Sequence, residues 1–251
     1  PYNGGGSHLP DLNLIAPVFH DGRIVAYVAN IAHHADVGGM VPGSEAAVCE
    51  TIFQEGLRLP PVRLVRDGAV NRDVLDIILL NSRTPDERRG DLNAQIAANH
   101  VGVRSLHRLI ERYGLDVFET ALDAYLDFSA RRMEAAVRDL PEGRYTAEDF
   151  ISSADENAEA RLACELTIAQ GRMKFDFTGT DAQLKEARNI PHQALLATVY
   201  TVAKALLDPG APANGGAFRV IDIEAPSGCI VQPTPPAPVG AVFDAEEQAK
   251  Y

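Results

Sequence analysis

Two kinds of side chain near the start of the sequence have the types and spacing of a divalent-metal site. His8 and Asp11 form an H-x-x-D pair, and the adjacent histidines His33 and His34 follow after two apolar segments. Neutral imidazoles and a carboxylate are a natural ligand set for a divalent ion. Three protein ligands would leave positions open for water or substrate. A hydrogen-bonded histidine–aspartate pair that only fixes a loop is the alternative interpretation.

The two apolar segments predict a β-hairpin that would bring these side chains together. Residues 12–19 and 23–32 are rich in apolar and β-branched side chains, and His20-Asp21-Gly22 separates them. An Asp-Gly pair between such segments is a strong hairpin signal. The open end of this hairpin is therefore where the candidate ligands should meet.

The register of the hairpin decides which histidine joins Asp11. A three-residue loop would pair Asp11 with Ile31 and place His33 on the same face as Asp11, because side chains alternate along a strand. A two-residue loop would shift the register and place His34 there instead. The hairpin pattern alone leaves both histidines as candidates.

The remaining elements predict an α+β fold, with mixed sheets, the N-terminal hairpin and a long antiparallel helix pair. A helical pattern begins near Asn71, and amphipathic stripes then cover residues 92–113 and 118–140. These two helices should pack against each other as a helical hairpin. Strands are predicted at 145–153, 161–169, 172–177 and 218–224, and a further helix at 191–207. Helices and strands are grouped rather than alternating, which is typical of the α+β class.

Composition excludes several classes of function. The 251 residues carry 23 Lys and Arg against 35 Asp and Glu, a formal charge of −12, which disfavours a nucleic-acid partner. No apolar run approaches the roughly 20 residues of a membrane-spanning helix. Three widely spaced cysteines fit a reducing compartment, so a cytoplasmic location is expected. No Walker loop is present, so we expect no direct ATP binding by this chain.

Many short motifs, in the same order, resemble the hydantoinase B family. This family includes N-methylhydantoinase B, the acetone carboxylase alpha subunit and the C-terminal half of 5-oxoprolinase. The motifs are Gly5-Gly6-Ser7-His8-Leu9-Pro10-Asp11, Ala16-Pro17-Val18-Phe19, Ala32-His33-His34-Ala35-Asp36-Val37-Gly38-Gly39, Pro42-Gly43-Ser44, Gln54-Glu55-Gly56-Leu57, Asn81-Ser82-Arg83, Gly90-Asp91-Leu92-Asn93-Ala94-Gln95-Ile96, Asp176-Phe177-Thr178-Gly179-Thr180 and Pro236-Ala237-Pro238-Val239-Gly240.

The resemblance implies a metal centre and a partner. Family members bind a divalent ion through an H-x-x-D and a later histidine, which correspond to His8, Asp11 and His33 in this sequence. The ion would be Zn, Mn or Fe. Family members also work in hetero-oligomers with a hydantoinase A or oxoprolinase-type ATPase, so ATP would act only through that partner chain.

The resemblance also implies a reaction. We expect the B component of an ATP-dependent hydantoinase or lactamase, which hydrolyses a cyclic amide that the ATPase has activated. Glu55, Arg83 and Asp91 are the candidate catalytic residues, supporting the metal ligands or contacting substrate. Helix capping by Asp91 and a loop ion pair of Arg83 are the structural alternatives. A ketone carboxylase alpha-type subunit and a non-catalytic assembly module are the alternative functions.

The sequence also departs from the family pattern. It begins at Pro1, inside a turn motif, and family chains are about twice as long, so it is expected to be a fragment. Residues 1–241 are interpreted as the hydantoinase B-like core without its N- and C-terminal parts. Residues 242–251 do not continue the family pattern and are interpreted as a tail of uncertain origin. The fragment alone is expected to be inactive.

Overall fold

The hairpin at the start of the chain is present, but its register differs from both predicted ones. The computed structural model describes residues 1–2, 5–44, 46–152 and 159–240, so the predicted tail lies outside the described residues. Strands β1 (Asp11–His20) and β2 (Arg23–His33) are antiparallel and joined by a two-residue turn in which both residues have positive φ. This is the turn type whose twist suits a hairpin.

A β-bulge next to the turn changes the pairing of the rest of the hairpin. Phe19 is opposite Ile24, whereas Val18 is opposite Ala26, so Val25 is an extra residue on β2. The bulge shifts every later pair by one residue. The predicted pairing of Asp11 with Ile31 is therefore wrong, since Asp11 lies opposite His33.

Three helices follow the hairpin and support it. Helix α1 (Arg72–Leu80) is capped by Asn71, whose side chain accepts hydrogen bonds from two backbone amides of the first turn. Helices α2 (Pro85–Tyr113) and α3 (Leu115–Arg138) come next, with only Gly114 between them. Helix α2 begins seven residues before the predicted start, because a proline in the first turn is compatible with a helix.

The two long helices have different main packing partners. Helix α2 lies against both strands of the hairpin, and polar side chains on its buried face bond to the hairpin. Helix α3 packs against α4 (His192–Leu207) and against strand β7 (Arg172–Asp176), and it also contacts α2. The predicted long helix pair is thus confirmed, with each helix serving a different layer.

The second half of the chain forms a mixed four-stranded sheet. Strands β5 (Gly143–Ser152), β6 (Glu159–Ala169) and β7 are antiparallel neighbours, and β8 (Ile221–Glu224) adds to β7 in parallel. A minor hairpin, β3 (Val65–Arg66) and β4 (Ala69–Val70), precedes α1 and was not predicted. The α+β class with mixed sheets is confirmed. In the described part of the chain, no helix is both long enough and apolar enough to cross a bilayer.

The largest core forms where α3, α4 and the four-stranded sheet meet, and a glycine sets one close approach within it. A Cβ added at Gly216 would lie 2.0 Å from the carbonyl oxygen of Leu126 in α3, whereas one at Gly215 would meet nothing within 4 Å. Gly216→Ala should therefore lower the free energy of unfolding by about 2 kcal/mol, as overpacking does. Gly215→Ala should change it by less than about 0.5 kcal/mol. Urea unfolding of both variants checks this, and equal midpoints would contradict the close approach.

Candidate metal centre

The hairpin brings His8, Asp11 and His33 into mutual contact. Asp11 Oδ1 lies 3.1 Å from His8 Nε2 and 3.2 Å from His33 Nδ1, and the two nitrogens are 3.1 Å apart. Asp11 is the first residue of β1, His33 is the last of β2, and the two are directly opposite in the ladder. His8 lies in the turn that leads into β1.

The spacing of these three atoms matches the donor set of a divalent ion. Ligand atoms about 2.1 Å from an ion are separated by roughly 3.0 Å at octahedral angles and roughly 3.4 Å at tetrahedral angles. The three observed separations fall between these values. Among the described residues this is the one group of three or more His, Cys, Asp or Glu side chains with such a geometry.

The centre has a closed side and an open side. His8 is 3% exposed, and the side chain of Asp11 is 14% exposed, whereas the side chain of His33 is 42% exposed. A small molecule can therefore approach the three atoms from the side of His33. An accessible position beside three ligands is what a catalytic ion requires and a structural ion does not.

Asp11 is held as a carboxylate. Burial by itself would raise its pKa, but hydrogen bonds from His8 and Ser7, the charge of His8 and the hydrogen bond from His33 lower the pKa to about 2. Ser7 Oγ donates to the second oxygen, Oδ2, and so leaves Oδ1 for the two histidines. The acceptor atom is thus ionised throughout the physiological pH range.

The orientation of His8 depends on the far end of the chain. His8 Nδ1 lies 3.4 Å from the carbonyl oxygen of Gly240. With its proton on Nδ1, the ring donates to this carbonyl, and Nε2 keeps its lone pair towards Asp11 and His33. Such a partner on the second ring nitrogen fixes the tautomer of metal-binding histidines.

His34 lies apart from the three ligands. Its ring is fully buried and Nε2 lies 3.0 Å from Oε1 of Gln95 on α2. Burial lowers the pKa of His34, so the ring is neutral there. The open alternative between the two histidines is therefore resolved by geometry: His33 contacts Asp11, and His34 ties the hairpin to α2.

Glu55 is buried beside the centre. It is 1% exposed, and its Oε1 accepts hydrogen bonds from the backbone amides of Val239 and Gly240. Its Oε2 has no hydrogen-bond partner among the described residues. Burial raises its pKa to about 7, although the two amides and the nearby His8 act in the opposite direction. Of the three candidate catalytic residues, Glu55 is the one that Gly240 links to a candidate metal ligand.

Arg83 holds the loop that follows the hairpin. Its guanidinium lies 2.6 Å from Asp36 Oδ1 and donates to the backbone oxygens of Gly39 and Val41. Burial would raise the pKa of Asp36, but hydrogen bonds and charge from Arg83 lower it. The described contacts of Arg83 are thus those of the loop ion pair that was the structural alternative.

Asp91 lies on α2 rather than at its start, so the alternative of helix capping is wrong. Its partner is Arg88, at 2.8 Å, whose side chain is only 5% exposed. Sequence reasoning missed Arg88 and also Gln95, whose Nε2 donates to the backbone oxygen of Leu12 at 2.8 Å. The available signal was a polar residue at helical spacing within the apolar stripe of α2.

Comparison with known proteins places this arrangement in context. The family described as Hydantoinase B/oxoprolinase matches residues 1–247. The putative B subunit of a D-/L-hydantoinase from Pseudomonas sp. (strain NS671) is 35% identical over 260 residues, which cover 97% of this chain and 43% of that protein.

Two solved structures share the fold. The ATP-dependent caprolactamase from Pseudomonas jessenii has a TM-score of 0.90 at 29% identity, over 96% of this chain and 42% of that one. An acetone carboxylase structure has a TM-score of 0.88 at 20% identity, over 95% and 33% of the two chains, and shows likeness of fold alone. The chain spans about two fifths of the length of the hydantoinase relative and of the caprolactamase chain. Because the family match covers nearly the whole sequence, the chain belongs to the hydantoinase B/oxoprolinase family.

Proposed function

We propose that this chain forms the metal-binding part of the B component of a two-component, ATP-dependent enzyme that hydrolyses a cyclic amide. The observation that carries the proposal is the contact of His8, Asp11 and His33, with an ionised carboxylate and one accessible side. A bound Zn, Mn or Fe ion would supply Lewis acidity, polarising a carbonyl and lowering the pKa of a water molecule.

The residues of the chain would have separate tasks in this reaction. Asp11 and the two imidazoles would hold the ion, and the exposed edge of His33 would leave room for the amide substrate. Asp36 and Arg83 would fix the loop after β2, so that the end of the strand carrying His33 stays in place. Because catalytic groups need positions fixed to within about 0.5 Å, such supporting contacts matter for rate.

The partner is part of the same proposal. A cyclic amide is a poor electrophile, and this sequence contains no phosphate-binding motif that could activate it with ATP. The similar caprolactamase is described as ATP-dependent. An ATPase of the hydantoinase A or oxoprolinase type would therefore supply the activated amide in a hetero-oligomer.

The outer face of the hairpin supports association with other polypeptide. Ile15, Tyr27 and Ile31 are 64%, 64% and 59% exposed, and they share this face with Asp11 and His33. Clustered apolar side chains of this size on a surface are typical of contact sites. We expect the isolated 251-residue chain to self-associate and to open no cyclic amide. Analytical ultracentrifugation with a hydantoin assay checks both, and a monodisperse monomer that hydrolyses hydantoin without ATP would contradict them.

The function itself is tested with the full-length protein in which this sequence occurs, purified with its ATPase partner. Hydantoin, 5-oxoproline and caprolactam are supplied in turn with ATP, and a ketone with bicarbonate is supplied in parallel. ATP-dependent ring opening that is lost in the His33→Ala variant supports the proposal. ATP turnover with the ketone alone would replace it by the carboxylase function. Full activity of the His33→Ala variant would indicate that the cluster is only structural.

A further inference from the structure

We propose that Glu55 is a positioning residue for the metal centre, which acts on His8 through the backbone of Gly240. The inference rests on the proposed metal centre. The amide of Gly240 donates to Glu55 Oε1 at 2.7 Å, and the carbonyl oxygen of the same residue faces His8 Nδ1 at 3.4 Å. One residue of backbone thus connects the buried carboxyl group to a candidate ligand.

The contact between Glu55 and Gly240 is too close for any other residue at position 240. A Cβ added to Gly240 would lie 3.1 Å from Glu55 Cδ and 3.2 Å from Oε1. Glu55 also accepts the amide of Val239, so two consecutive donors converge on one oxygen. Paired donors on one acceptor fix the direction of the following peptide more firmly than one bond would, and the Gly240 carbonyl belongs to that peptide.

Glu55 is itself held against the loop that follows the hairpin. The Met40 amide donates to the Gln54 oxygen at 2.7 Å, and the Leu57 amide donates to the Val37 oxygen at 2.8 Å. Residues 54–57 therefore lie along residues 37–40, which follow β2 and its terminal His33. The carboxyl group is anchored on one side of the centre and fixes His8 on the other.

What Glu55 supplies is a hydrogen-bond acceptor, and this distinguishes two substitutions. Glu55→Gln keeps a carbonyl oxygen that can accept both amides, and its new NH2 group replaces the Oε2 atom. Glu55→Ala removes the acceptor and frees the peptide of Gly240. Loss of a group that orients a metal-binding histidine typically costs 10- to 100-fold in metal affinity. We therefore expect a loss of at least 10-fold for Glu55→Ala and less than about 3-fold for Glu55→Gln.

A matched control exists elsewhere in the chain. Asn214 Oδ1 accepts the backbone amides of Gly216 and Ala217 at 2.9 and 3.2 Å, and its side chain contacts Ser129 of α3. Asn214→Ala removes the same kind of double contact away from the candidate ligands. Its metal affinity should stay within about 2-fold of the unchanged protein.

The experiment measures Mn2+ and Zn2+ affinity by competition with a chromophoric chelator, in the full-length protein with and without its partner. Nitrogen-15 NMR of the histidines, in the metal-free protein, reports the tautomer of His8. We expect the Nδ1-protonated form in the unchanged protein and in Glu55→Gln, and a mixture of tautomers in Glu55→Ala. Gly240→Ala, which crowds Glu55 without removing it, should also lose affinity and serves if Glu55→Ala does not fold.

The outcomes separate this inference from the proposed function. If His8→Ala keeps full metal affinity, the metal centre and the proposed function both fail. If His8→Ala loses affinity while Glu55→Ala and Gly240→Ala do not, the inference alone is overturned. It is also overturned if Glu55→Gln loses as much as Glu55→Ala, or if Asn214→Ala loses as much.

Discussion

Replacement of His33 by alanine should lower the affinity for a divalent ion by at least about 100-fold. The substitution removes one of three atoms that lie 3.1 to 3.2 Å apart, and it leaves only two donors on the accessible side. Removal of a direct ligand should cost at least as much as the 10- to 100-fold found for groups that only orient a ligand. Isothermal titration with Mn2+ at neutral pH measures the change.

This variant is well suited to the test because it should fold normally. The side chain of His33 is 42% exposed, so alanine creates no cavity in the core. His100→Ala provides the control, since His100 is an exposed histidine on α2. Unchanged affinity in His33→Ala, or an equal loss in His100→Ala, would show that the ion binds elsewhere.

Glu55→Gln should remove a pH-dependent loss of stability from the metal-free protein. In the folded chain burial raises the pKa of Glu55 from its ordinary value of 4.5 to about 7, so the folded state holds a proton that the unfolded chain has already released. The stability linked to this proton is fully present below pH 4.5 and is lost as the pH rises through about 7. The unchanged protein should therefore weaken between pH 5 and pH 8, by up to about 3 kcal/mol.

The measurement is urea unfolding of both proteins at pH 5 and pH 8 with a chelator present. Glu55→Gln should be more stable than the unchanged protein at pH 8, and the difference should shrink at pH 5. Glu50→Gln changes an exposed carboxyl group nearby and should leave the pH dependence as it is. A parallel pH dependence of Glu55→Gln and the unchanged protein would show that Glu55 is not the group responsible.

The meeting of Asp11 with a histidine could be predicted from the sequence, but the pairing that produces it could not. Alternating apolar segments and an Asp-Gly turn specify a hairpin, and side-chain alternation then limits which residues share a face. The bulge at Val25 depends on local backbone geometry that no residue type announces. It cancels the shift of the two-residue turn, so His33 rather than His34 lies beside Asp11.

The surroundings of the centre were less accessible to prediction, because they depend on contacts between distant segments. Glu55 and Gly240 are 185 residues apart, and Arg83 and Asp36 are 47 apart. Periodicity reports the face of a helix or strand and carries no information about such pairs. Motif resemblance selected Glu55 and Arg83 as important, yet their partners, and therefore their tasks, required the fold.

The burial of residues 237–240 against the first residues of the chain has a consequence for biosynthesis. Tyr2 donates to the Ala237 oxygen, the Ile52 amide donates to the Pro236 oxygen, and Gly240 faces His8. A ribosome would therefore have to release almost the whole of this region before His8 acquires its partner. Pairings of such long sequence separation form slowly, since loop closure must come first. Metal loading should accordingly follow translation of residue 240, and a nascent chain halted before that point should present the hairpin without a finished centre.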